Sequence, residues 1–149
     1  MLQVGIPLPQ YGRVAGAEAI SELATAQGLQ VKVASVSGDD LLPRFAEIGG
    51  QWLNMDTGEP FRGHPLSANA YLGARGIIEA LNAGADVVVT GRVTDAALAI
   101  GPAAWWHEWD IDSEQSLDAL AGALVAGHVI ECGAQASGGN YAFFREVPG

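Results

Sequence analysis

Two loops in this sequence carry side chains able to do acid–base or anion-binding chemistry, and each follows a β-branched run. Val31 to Val36 leads into Ser37-Gly38-Asp39-Asp40, and Asp86 to Thr90 leads into Gly91-Arg92-Val93-Thr94-Asp95. Each is a strand, a small hydroxyl residue, a glycine and then charge, and ligands of open α/β sheets sit at such strand ends. In the first loop Asp40 suits the cap of a following helix, whereas Asp39 is not needed for capping and could hold a hydroxyl or a metal. In the second, Arg92 stands at the carboxyl end of the most buried-looking strand, where a guanidinium needs an anion. That anion is either Asp95, three residues on, or the carboxylate or phosphate of a substrate. Arg62 and Arg75 are the other cationic candidates.

A third cluster lies in Gly127-His128-Val129-Ile130-Glu131-Cys132-Gly133. His128 and Cys132 are one turn apart on a helix face with Glu131 close by, which reads either as a nucleophile with its base or as a small buried thiol. Gly122, Ala123, Ala126 and Gly127 let another backbone or a ligand come close, and Ser137-Gly138-Gly139-Asn140 can present amide groups. Trp105, Trp106 and Trp109 suit a core or a subunit interface better than a substrate platform, with His107 among them exposed. No His-Glu-x-x-His spacing links Asp39, His64, Asp95, His128 and Glu131, so no metal site is expected. Neither the Gly-Lys-Ser/Thr ending of a phosphate loop nor a Gly-x-Gly-x-x-Gly run is present, and no cofactor is assigned.

The elements that must position these groups follow from periodicity. Gln3–Ile6 reads as a strand stopped by Pro7 and Pro9, Ala15–Gln27 as a helix ended by Gly28, and Val31–Val36 as a second strand. A helix capped by an aspartate is expected next, closing near Gly49-Gly50, then an irregular excursion over Gln51–Pro65 with hairpin character around Asp56-Thr57-Gly58-Glu59-Pro60. Ala74–Ala83 reads as a helix, Asp86–Thr90 as the best strand, Ala96–Ile100 as a short helix, Pro102–Asp112 as an aromatic loop, and Ser116 to about Cys132 as the last helix. Strands alternating with helices predict an α/β fold, a Rossmann-like parallel sheet with helices on both faces. Only three strands are clear, a thin core for so apolar a chain, which predicts an incomplete sheet.

At 149 residues the chain has room for one domain, and 49% hydrophobic against 16% charged residues excludes disorder. Seventeen acidic and seven basic residues give a net charge of −10, the wrong sign for nucleic acid or an anionic membrane surface. A single cysteine and the absence of a secretory pattern at Met1-Leu2-Gln3-Val4 make the cytoplasm the default address. The apolar stretch Ala119–Ile130, a dozen residues, reads as too short to cross a bilayer. Low charge with high apolar content also suggests that part of the surface is covered by another subunit, a protein partner or further sequence.

Four ordered blocks carry a resemblance. Ser37–Pro43, Ser67-Ala68-Asn69-Ala70-Tyr71-Leu72-Gly73-Ala74, Gly84–Ala99 and Ala126–Gly139 resemble the acyclic terpene utilisation protein A family, and Asn54-Met55-Asp56-Thr57-Gly58 is similar to its intervening segment. The resemblance spans residues 30 to 140, while Gln3 to Tyr11 departs from the Asn- and Gly-rich strand end of the family. It implies a short form or fragment, the single α/β unit of residues 1–149 being part of a larger N-terminal domain. It also implies bacterial catabolism of citronellol- and geraniol-like terpenes, with a branched acyl-CoA or its acid as substrate, and brings no reaction with it. The polar residues inside the blocks are the expected site: Asp39, Asp95, His128, Glu131 and Cys132 as acid, base or nucleophile, and Asp40, Asn69, Gly91, Arg92, Thr94, Gly138 and Gly139 as substrate contacts. The alternatives are a non-catalytic subunit docked on an acyl-CoA-processing complex through its tryptophan loop, and an inactive fragment.

Overall fold

The computed structural model describes residues 2–5, 13–48, 52–138 and 141–146. Among them three parallel strands, β1 (Leu2–Gly5), β2 (Val33–Ser37) and β3 (Val87–Thr90), form one sheet in the order β1-β2-β3. Leu2 pairs with Ala34 and Gly5 with Ser37 on one side of β2, and Val33 pairs with Val87 and Val36 with Thr90 on the other. Every residue of β2 is buried, so it is the central strand, with alternate side chains covered on both faces. The run Val87-Val88-Val89, read from sequence as the most buried strand, is half-buried: it forms an edge, with no fourth strand among the described residues.

Helix α1 (Arg13–Ala26) packs on β2 and β3, and α2 (Arg75–Asn82) on all three strands, yet the two helices do not touch each other. They therefore cover opposite faces of so narrow a sheet, as a parallel sheet requires. On the α2 side, Ala34, Ala80 and Ala85 form a buried cluster with Val88 against it. Helix α3 (Ala97–Trp106) stacks on α2 and not on the sheet, and α4 (Leu117–Cys132) stacks on α3. One glycine stands at each of these contacts. A Cβ on Gly76 would lie 2.6 Å from Val36 Cγ1, on Gly101 2.7 Å from Ile77 Cγ2, and on Gly127 2.8 Å from the Cβ atoms of both Ala96 and Ala99. The layers sheet, α2, α3 and α4 are thus held at backbone-to-side-chain distance, too close for any larger residue.

Three expectations are corrected. The helix expected from Asp39–Asp40 to Gly49 shrinks to one 3-10 turn, Leu42–Arg44, followed by turns through Glu47, with the Phe45 ring stacked on Trp52 at 4.9 Å. The helix expected to stop at Ile100 runs to Trp106, with Pro102 inside it rather than opening a loop. Proline removes one hydrogen bond there, but Pro102 lies exposed while Ala97, Gly101 and Ala104 bury the opposite stripe, and that packing carries the helix past it. The apolar stretch read as a dozen residues belongs to a continuous helical run, Glu114–Ser137, of 24 residues. That run is long and apolar enough to span a bilayer by length and composition alone, and 6% of its most apolar window is buried. The excursion does contain a hairpin: Leu53 pairs antiparallel with Pro60, and Asn54 Oδ1 accepts from the N–H groups of Asp56 and Thr57 at 2.9 Å.

Candidate functional site

Because β2 and β3 are parallel neighbours, their carboxyl ends open side by side, and the two charged loops meet there. Asp39, 1% exposed, accepts the backbone N–H of Arg92 on its Oδ2 at 2.9 Å, which ties the loops together directly. A third segment locks both. Ala70 N–H donates to the carbonyl of Asp39 at 2.7 Å, Leu41 N–H to Ala68 O at 2.8 Å, and Asp40 pairs antiparallel with Asn69. Two residues on, Leu72 N–H donates to Arg92 O at 3.1 Å and Thr94 N–H to Leu72 O at 2.8 Å. The result is a cleft of about 570 Å³ with Asp39, Asn69, Tyr71, Arg92, Asp95 and Glu131 on its walls, Thr90 and Gly91 at its base and Leu98 beside them.

The two aspartates, the glutamate and the arginine in this cleft are not equivalent. Asp39 is committed to the Arg92 N–H. Glu131 reaches back from the last turn of α4 to accept the Ala96 N–H on Oε2 at 2.7 Å. Ala96 needs that anchor: it is fully buried, caps α3 and has φ 66°, a left-handed conformation that costs an alanine about 1–2 kcal/mol. The carboxylate also lies where the positive end of the helix dipole favours it. Asp95, the residue before Ala96, is exposed and makes no hydrogen bond or ion pair among the described residues. The Arg92 guanidinium lies 5.5 Å from the centroid of the Tyr71 ring and forms no ion pair with Asp95 or any other described residue. Of the two partners the sequence left open for Arg92, the carboxylate three residues on is therefore not the one it takes.

Glu131→Ala removes the acceptor of the Ala96 N–H. An orphaned buried donor costs about 1–3 kcal/mol, so the melting midpoint of Glu131→Ala falls while Glu131→Gln, which keeps an acceptor oxygen, recovers most of it. Thermal unfolding followed by circular dichroism reads both.

The remaining candidates lie elsewhere. Asp40 accepts the Leu42 N–H at 3.1 Å in a local turn, one residue before the cap position Leu41 rather than at it, and is not on the cleft wall. Thr94 Oγ1 donates to Leu72 O at 3.3 Å and faces a separate cavity between Gly73–Ala74 and the helices α3 and α4. His128 is half-buried with Nδ1 2.8 Å from Leu124 O, and half-buried Cys132 one turn on is likewise off the cleft wall. Gly138 ends the 3-10 turn Gly133–Ser137 at φ 82°, and Gly139 falls outside the described residues. Arg75, weighed as an anion grip, holds Asp112 with two bonds of 2.7 and 2.9 Å. That hydrogen bonding, with the charge of Asp112, raises the Arg75 pKa. The raised guanidinium loses its proton only in strong alkali, so its titration adds no pH dependence near neutrality. Sequence reasoning misses Tyr71 and Leu98; Tyr71 lies two residues from Asn69 in the same sequence block, the signal that could have found it. No group of three or more His, Cys, Asp or Glu side chains able to hold a metal occurs among the described residues.

Compared with known proteins, residues 12–149 match the family model described as acyclic terpene utilisation family protein AtuA. No curated protein and no solved structure matches the chain.

Proposed function

Since this chain belongs to the acyclic terpene utilisation family AtuA, we propose that the cleft binds an anionic terpene-derived intermediate, a branched acyl-CoA or its acid, and acts on it by proton transfer. The observation that carries this reading is the Arg92 guanidinium, set in the cleft without a carboxylate partner among the described residues. An arginine offers a carboxylate or phosphate a planar fork of donors. Asp95 is the carboxylate left free to move a proton, and Asp39 and Glu131 hold the loop that presents both groups.

Thermal melts with geranyl-CoA, citronellyl-CoA and the free acids test this. A ligand at 100 times its dissociation constant stabilises the protein by about 2.7 kcal/mol. Charge-assisted hydrogen bonds contribute about 1.5–3 kcal/mol, so Arg92→Gln should weaken binding by roughly 10- to 100-fold. Asp95→Asn should leave binding intact and remove turnover. Equal melting shifts in the wild type and Arg92→Gln would sink the assignment.

A second reading, a docking subunit of an acyl-CoA-processing complex, draws on the outer layer of the fold. Trp106 is 72% exposed, and Val125, Val129 and Ile130 of α4 face solvent. In that reading Arg92→Gln and Asp95→Asn change nothing, while Trp106→Ala with Val125→Asp abolishes co-purification.

A further inference from the structure

The hairpin after the first charged loop builds a second cavity, sharing no wall residue with the cleft. Phe45 stacks on Trp52 with ring centroids 4.9 Å apart and planes 15° from parallel, and meets Phe61 edge-on at 6.1 Å. Phe61 N–H donates to Trp52 O at 2.6 Å, which closes the hairpin and sets these rings as one wall. Ser67 and Ala68 line the cavity as well, fixed by the Leu41 N–H on Ala68 O at 2.8 Å. The space is an open groove of about 470 Å³, within the roughly 300–1,000 Å³ common for small-molecule sites. Its apolar wall is left wet, with Phe61 50% and Leu53 53% exposed, a cost in water that a ligand would remove. Arg62 lines the same space and forms no ion pair among the described residues, and it is the only cation there, in a chain of net charge −10. Glu59 lines it too, beyond ion-pair distance from Arg62.

We propose that this pocket is a binding site for an apolar monocarboxylic acid, whose body packs against the Phe45, Trp52 and Phe61 rings while Arg62 takes the carboxylate. The site stands independently of the cleft and of what the cleft binds. A charged head at Arg62 and an apolar body on the rings make separable contributions, and a matched set of probes separates them.

Octanoate, octanol and octylamine are titrated into the full chain, wild type and variants, by calorimetry. Octanoate is expected to bind saturably, about tenfold more weakly to Arg62→Gln, with partial recovery in Arg62→Lys. Octanol should bind the wild type and Arg62→Gln alike, and Trp52→Ala should weaken both ligands. Arg62 is exposed, so Arg62→Gln keeps the wild-type melting curve and its effect reads as binding. Octanoate affinity lost in Arg92→Gln and kept in Arg62→Gln would place the acid in the cleft and overturn the proposal. Tighter binding of octylamine than of octanoate would make Glu59 the recognising group and overturn it as well, as would no saturable binding of any probe.

Discussion

Gly127→Val lowers the melting midpoint by about 5–10 °C, whereas Gly122→Val, five residues earlier in α4, leaves it unchanged or slightly raised. Valine is a better helix former than glycine by a few tenths of a kcal/mol, so intrinsic propensity favours both variants equally. Only the surroundings differ. A Cβ at Gly122 meets nothing within 4 Å, but at Gly127 it meets two alanine Cβ atoms at 2.8 Å and the Ala96 Cα at 3.3 Å. Alanine has no rotamer to yield with, and Ala96 is held in the left-handed region, so α4 must move off α3. Overpacking of this kind costs about 1–3 kcal/mol. Because Glu131 sits one turn beyond Gly127 and anchors Ala96, the same variant loses the turn that presents Asp95. Differential scanning calorimetry of the two variants checks this, and equal midpoints would mean that α3 and α4 are not in contact at Gly127.

Asp39→Ala carries the second large effect. It removes the carboxylate that joins the two loops and strands the part-buried Arg92 N–H, at about 1–3 kcal/mol. Arg92 is then no longer held over the cleft, so ligand affinity falls by at least about tenfold in addition to the loss of stability. Asp39→Asn separates charge from geometry. Its amide oxygen still accepts the Arg92 N–H, so stability largely returns, and with it binding, since Asp39 acts here by position. If Asp39→Asn folds and binds but does not turn over, Asp39 itself moves a proton and the division of roles between Asp39 and Asp95 reverses.

Much of this site was legible in the sequence because it rests on local signals. The two strand-glycine-charge loops are read from Val36-Ser37-Gly38-Asp39 and Val89-Thr90-Gly91-Arg92, and parallel pairing then brings Asp39 and Arg92 together. Tyr71 and the lock formed by residues 68–72 were not legible, since they act through backbone hydrogen bonds to carbonyls and amides that every sequence has. Glu131 was found as a polar residue but not as the anchor of Ala96, because the bond spans 35 positions and serves a left-handed alanine that no propensity predicts. The valines of β3 misled for a related reason: composition reports a strand and not whether a neighbour lies beyond it. Pro102 misled because packing on α2 and α4 overrides the local cost of proline.

In this reading Arg92 waits for an anion. Nitrogen-resolved NMR of the arginine side chains during a titration with geranyl-CoA tests it most directly, the Arg92 Nε signal being identified by its loss in Arg92→Lys. A saturable shift of that signal is expected, with the Arg75 signal, already paired with Asp112, unmoved. Saturable binding of the thioester with the Arg92 signal unmoved would contradict it.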